Sequence, residues 1–214
     1  MGVPARFAIE YPQRALELIG LLEDEARKRQ LLGSFGLLAA AAILTIPYER
    51  MNAAHFLHRE ERDHDLVTQL KRLEKVPFLE APFWPKPPDA ELWRQSRIMA
   101  SVDDVEKWRD ERGQHPLAKG ANTIGRRKAS EVIRILRNAL AHGNIIYLDK
   151  DGREIEGNVM VYMAFLSRYE AERLDQGQTY RVLVTTEDGF IQFVKAWAGW
   201  VSHFPLGDRV AEAA

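Results

Sequence analysis

Arg137 and His142, with Asn138, Ala139, Leu140 and Ala141 between them, are the residues of this chain whose types and spacing could do chemistry. A guanidinium presents a planar fork of donors to a phosphate. An imidazole is the side chain that exchanges protons near neutrality. Together they suit a phosphodiester. On an ideal helix a five-residue step turns through about 140°, so the two cannot meet as an i, i+4 pair would. They can still flank one shallow polar surface floored by Ala141, with Asn138 between them. The bare spacing says little, because Arg, four residues, then His also occurs from Arg50 to His55 and from Arg59 to His64. Context separates the third copy: Asn directly after the Arg, small residues between, a helix beneath, and Gly143 behind.

The element that must position this pair is a helix expected from about Thr123 to His142. Val132, Ile135, Leu136, Ala139 and Leu140 share one arc at helical spacing and form a core face. Arg127, Ser130, Glu131, Arg134, Arg137, Asn138 and His142 lie opposite, and Gly143 stands where a left-handed C-cap residue belongs. The neighbourhood is basic. From Lys119 to Arg137 the chain carries Lys119, Arg126, Arg127, Lys128, Arg134 and Arg137 against Glu131 alone, so six minus one leaves a surplus of five positive charges. In a chain whose net charge is −1, that local surplus points to a polyanionic partner, with a solvated helix face as the plainer reading.

The 214 residues suit a single domain over 1–214 with a good core. There is no cysteine, which excludes disulfides and thiolate metal sites and makes a reducing, cytoplasmic setting the simplest. No basic segment followed by an apolar run opens the chain, so no signal peptide is expected. Pro12 to Gln30 reads as an amphipathic helix through Ala15, Leu18, Ile19, Leu22 and Ala26, with Glu23–Arg27, Asp24–Lys28 and Glu25–Arg29 as i, i+4 pairs. Leu31 to Ile46 is nearly all apolar but shorter than the roughly 20 residues of a bilayer span. It reads as a buried central helix ended by Pro47, in which Gly33, Ser34, Gly36 and the run Ala39–Ala42 admit close neighbours. No membrane association is expected.

His55 to Asp65 is dense in imidazoles and carboxylates, and His55, His58, Glu61 and His64 raise the question of a metal. No His pair stands at i, i+4 and no second cluster completes a set, so the stretch reads as a charged loop before a helix from about Glu60 to Lys75. Neither metal nor cofactor is expected. Val76 to Pro88 holds five of the ten prolines and reads as a long connection whose Phe78, Phe83 and Trp84 pack onto the bundle. Asp89 could cap a helix through Leu92, Trp93, Met99 and Val102 towards Trp108, with Ser101 and Asp104 resembling a capping box. Gly113 to Gly120 is a loop. Beyond Gly143, Asn144–Leu148 and Arg153–Glu156 about the turn Asp151-Gly152 read as a hairpin. Val159–Leu166 and Tyr180–Thr186 read as strands, and Thr186 to Phe204 as a closing helix with Phe190, Val194, Trp197 and Val201 on one face.

Arg137-Asn138 to His142, in its setting, resembles the Arg-x4–6-His motif of the HEPN superfamily of helical ribonucleases and related proteins. Ile46-Pro47-Tyr48-Glu49-Arg50-Met51-Asn52, followed by His55-Phe56, resembles a helix end in a plasmid- and bacterial-type subgroup of that superfamily. The resemblance implies a mainly α fold: a helical bundle over about 12–143, then a small antiparallel β-meander and a closing helix over about 144–205. It implies a homodimer in which two Arg/His motifs meet across the two-fold axis, RNA as substrate, and metal-independent cleavage through the 2′-hydroxyl. In that scheme Arg137, His142 and Asn138 are catalytic, and Arg134, Arg127 and Lys128 bind substrate. A toxin–antitoxin or defence setting, with an antitoxin or regulatory partner, belongs to the same expectation. Because the superfamily also has inactive members, the alternative is a non-catalytic module for dimerisation or for binding a nucleotide or protein.

Overall fold

Periodicity and strand pairing resolve into five α-helices and a four-stranded antiparallel sheet in the computed structural model, which describes residues 7–50, 64–98, 102–118, 124–154, 160–168 and 179–203. Helix α1 (Phe7–Lys28) begins before the expected Pro12. Gln30, in a left-handed conformation with φ of 58°, turns the chain into α2 (Leu32–Arg50). Helix α2 lies against α1, α4 and α5, as its apolar surface requires. Gly36 is where α5 comes close: a Cβ there would stand 3.1 Å from Ile191 Cδ1 and 3.2 Å from Phe190 Cδ1.

Helix α2 does not end at Pro47. Proline has no N–H to give to the carbonyl four residues back, which here is that of Ile43. The indole N–H of Trp197 donates to that oxygen at 2.9 Å, in a buried setting. The helix therefore continues to Arg50 and carries Tyr48 with it.

Helix α3 (His64–Arg72) is the described part of the third expected helix, followed by buried Leu73. His55, His58 and Glu61 lie outside the described residues. The proline-rich connection behaves as expected. Phe78 and Phe83 are buried, and their rings contact Phe193 and, respectively, Trp93 and Trp197.

Three expectations are corrected. Asp89 does cap a turn, accepting from Glu91 N–H at 2.9 Å, but only the short 3-10 turn Ala90–Leu92 follows. The chain then becomes strand β1 (Trp93–Ile98), paired along its length with a strand far downstream. Helix α4 (Ala129–His142) starts later than Thr123. Phe78 N–H donates to Arg127 O at 2.7 Å and Ala129 N–H to Val76 O at 2.9 Å, so the connection takes the backbone groups that another helical turn would need. Finally, the sheet is more than a C-terminal meander. Strands β2 (Ile145–Leu148), β3 (Tyr162–Arg168) and β4 (Tyr180–Thr186) stand in the order β1-β4-β3-β2. The turn at Asp151-Gly152 exists, Gly152 having φ of 79°, and the described residues of its return arm make an isolated bridge at Leu148–Glu154 and accept from Asp149 N–H at Arg153 O, 2.9 Å away. The ladder partner of β2 is β3.

Alternation gives the sheet two covered faces. Trp93, Met163, Phe165 and Leu183 join the main core with α4 and with α5 (Glu187–Ser202). Ile98, Ala164, Leu166, Val182 and Val184 form a smaller core with Val105 and Trp108, so the irregular segment 102–118 covers the other face. His115 anchors that segment: Leu117 N–H donates to its Nδ1 at 3.2 Å, and its Nε2 lies 3.1 Å from Val105 O. Since a carbonyl only accepts, Nε2 carries the proton and the ring is neutral, and burial lowers its pKa. Among the described residues, no helix is long and apolar enough to cross a membrane.

Candidate functional site

Arg134, Arg137, Asn138 and His142 all stand on α4, which packs on β3 and α2. Val132, Ile135, Leu136 and Ala139 are wholly buried and fix the rotation of the helix, leaving Arg134, Ala141 and His142 exposed. Its end is set by Gly143, whose φ of 69° and ψ of 21° give the left-handed cap expected, with its N–H returning to Ala139 O. His142 is thus the last helical residue, held at the solvent edge.

The two flanks of this exposed arc have different neighbours. On one side the Arg137 guanidinium lies over the Tyr48 ring, its Cζ 4.3 Å from the centroid. Tyr48 in turn stacks on Trp197 at 6.0 Å with 8° between the planes. The stretch around Tyr48 and the stretch around Arg137, far apart in sequence, therefore meet. Burial pushes the Tyr48 phenol up, the Arg137 charge opposes this, and Glu74 adds to it. On the other side Asn138 Nδ2 donates to Ser167 Oγ on β3 at 3.0 Å. His142, one turn beyond Asn138, belongs to this second flank. Half-buried Arg137 and exposed His142 consequently lie on opposite sides of a ridge crowned by Arg134 and Ala141.

The remaining expected residues are less closely grouped. Arg134 is exposed, one turn before Asn138. Arg127 and Lys128 are exposed but precede the helix, Lys128 being its N-cap residue and bridging to Pro77. Fourteen residues at the helical rise separate them from His142, roughly 20 Å. They cannot share a phosphate with it. Sequence reasoning misses the parts played by Tyr48, Trp197 and Ser167. The aromatic inside the singled-out stretch at Ile46–Asn52 is the one signal that could have found any of them.

A family model described as HEPN pEK499 p136 matches residues 1–204. The chain belongs to this HEPN family. The match spans the strands and the closing helix as well as the two motif stretches. No curated protein and no solved structure matches the chain. Among the described residues no cluster of three or more His, Cys, Asp or Glu could hold a metal ion.

Proposed function

We propose that this HEPN protein is a metal-independent endoribonuclease that works as a homodimer. The observation that carries the reading is the exposed His142 at a glycine-capped helix end, with Arg137 held by Tyr48 on the opposite flank of the same helix. In one chain the two lie on opposite sides of a ridge. A two-fold axis beside α4 would put the His142 of one copy next to the Arg137 of the other. There the RNA 2′-hydroxyl oxygen attacks phosphorus and gives its proton to a His142 imidazole. The bond to the 5′-oxygen breaks, and that oxygen takes a proton from an imidazolium. The products are a 2′,3′-cyclic phosphate and a 5′-hydroxyl. Arg137 offsets the charge that develops on the phosphate oxygens, and Asn138, fixed by Ser167, orients the scissile group. Arg134 holds the neighbouring backbone, while Arg127 and Lys128 reach nucleotides farther along.

The test is cleavage of mixed single-stranded RNA in EDTA by the wild type and by His142→Ala. We expect the substitution to lower the rate by about 10²–10⁴-fold, the usual worth of a positioned acid–base group, and the wild-type ends to be cyclic phosphates. Equal rates in both would remove His142 from the mechanism. The second reading is a non-catalytic binding or dimerisation module. The seating of Arg137 on Tyr48 favours it, because a stacked guanidinium also serves packing alone. A folded wild-type dimer that cleaves nothing would select it.

A further inference from the structure

Strand β2 begins where the His142 flank ends. Asn144 N–H returns to Ala139 O at 3.0 Å, Ile145 N–H donates to Gly143 O at 2.9 Å, and Leu166 N–H donates to Asn144 O at 2.9 Å. The chain therefore passes without slack from the last helical residue into the sheet, beside the Ser167 that holds Asn138. Alternation then sorts the strand. Ile146 and Leu148 belong to the smaller core and Ile145 to the main one, so Tyr147 shares the face of Ile145, the face covered by α4. Its cross-strand partner Met163 is in the main core too. Three strand steps from Asn144 put Tyr147 roughly 10 Å along the strand.

Tyr147 is nevertheless 39% exposed, and no other aromatic ring among the described residues is as open. It joins neither core, and among the described residues it has no ring contact and no side-chain hydrogen bond. Tyrosine suits strands by shape alone, and a single exposed apolar side chain is ordinary on a surface. Two features set this one apart. It stands on the strand that leaves the His142 turn, with exposed Asn144 between them. From Val132 to Leu148 the chain carries no carboxylate, so nothing in this stretch repels a polyanion. An open aromatic face in such surroundings is what a nucleobase stacks on.

We infer that Tyr147 stacks an unpaired RNA base close to the scissile phosphate, on the His142 flank. The ligand class rests on the ribonuclease reading and narrows it. The nucleotide held there is single-stranded, because a paired base keeps its faces within the duplex stack. Tyr147 positions the strand and takes no part in making or breaking bonds.

The probe is single-stranded 2′-O-methyl RNA, which lacks the nucleophile and cannot be cleaved, with binding followed by fluorescence anisotropy across a salt series. Tyr147→Thr keeps a β-branched residue in the strand and removes the ring; it should bind at least about fivefold more weakly. Because no phosphate contact is lost, its log–log salt slope should stay that of the wild type. Tyr147→Phe keeps the stacking face and should bind as the wild type does. An abasic residue moved along the probe should find one position where the wild type loses the same factor and Tyr147→Thr loses nothing further. A damaged fold would not single out that position. Equal affinity of Tyr147→Thr and wild type, a Tyr147→Phe variant as weak as Tyr147→Thr, a changed slope, or the lack of such a position overturns this inference and leaves the cleavage reading standing. Ring-dependent binding without cleavage of unmodified RNA by the wild type supports the platform and sinks the nuclease. No binding by the wild type overturns both.

Discussion

Tyr48 sets the posture of Arg137. A guanidinium over an aromatic face gains about 0.5–2 kcal/mol, and stacking fixes the plane of the fork. Tyr48→Phe keeps the ring and should retain cleavage close to wild type. Tyr48→Leu removes the platform, and activity should fall about tenfold or more through kcat, with a smaller change in KM, since Arg137 is needed most where charge develops. Steady-state kinetics on a defined oligonucleotide checks this. A Tyr48→Leu variant that folds and cuts normally would make Tyr48 a core residue only. Arg137→Lys should not rescue function, because an ammonium keeps the charge but not the planar fork.

Elements are legible where one face of one segment decides its state. The spacing predicts α5 with Phe190, Val194, Trp197 and Val201 on one side, and all four are buried; it predicts β4 at its observed bounds. Strand β1 is not legible. Its inward positions Trp93, Gln95 and Arg97 alternate with Arg94, Ser96 and Ile98, so both faces mix polar and apolar residues and no two-residue period shows. Pairing with β4 across a long stretch of intervening chain decides it. Pro47 misleads more instructively. It reads as a stop, yet Trp197 supplies the donor that proline lacks. Trp197→Phe should cost about 1–3 kcal/mol, because it leaves the Ile43 carbonyl buried and unmatched. In a Pro47→Ala background, where the new backbone N–H can take over, the same change should cost about 1 kcal/mol less. Denaturant titration of the four chains closes the cycle, and strict additivity would refute the substitution of one donor for the other.

At the scale of the whole molecule, the proposed site is one that two chains complete across the ridge between Arg137 and His142. Arg137→Ala and His142→Ala should each be inactive alone. Refolded together in equal amounts, half of the dimers are mixed, and each mixed dimer has one site with both residues intact. About a quarter of wild-type activity should return. No recovery from a mixture shown to exchange subunits would put the chemistry within single chains. The motif residues and the angle between them are legible in sequence; which flank of α4 meets α2 and which meets β3 is not, because tertiary packing decides it.

The sheet has a second core of its own, and this divides the tryptophans. Trp84, Trp93, Trp197 and Trp200 belong to the main cluster, while Trp108 sits in the small one with Val105 and Ile98. The four lie among the helices on one face of the sheet; the fifth lies on the other face. The lone indole, stacked beside His115, is thus the tryptophan placed to sense the irregular cover of the outer face.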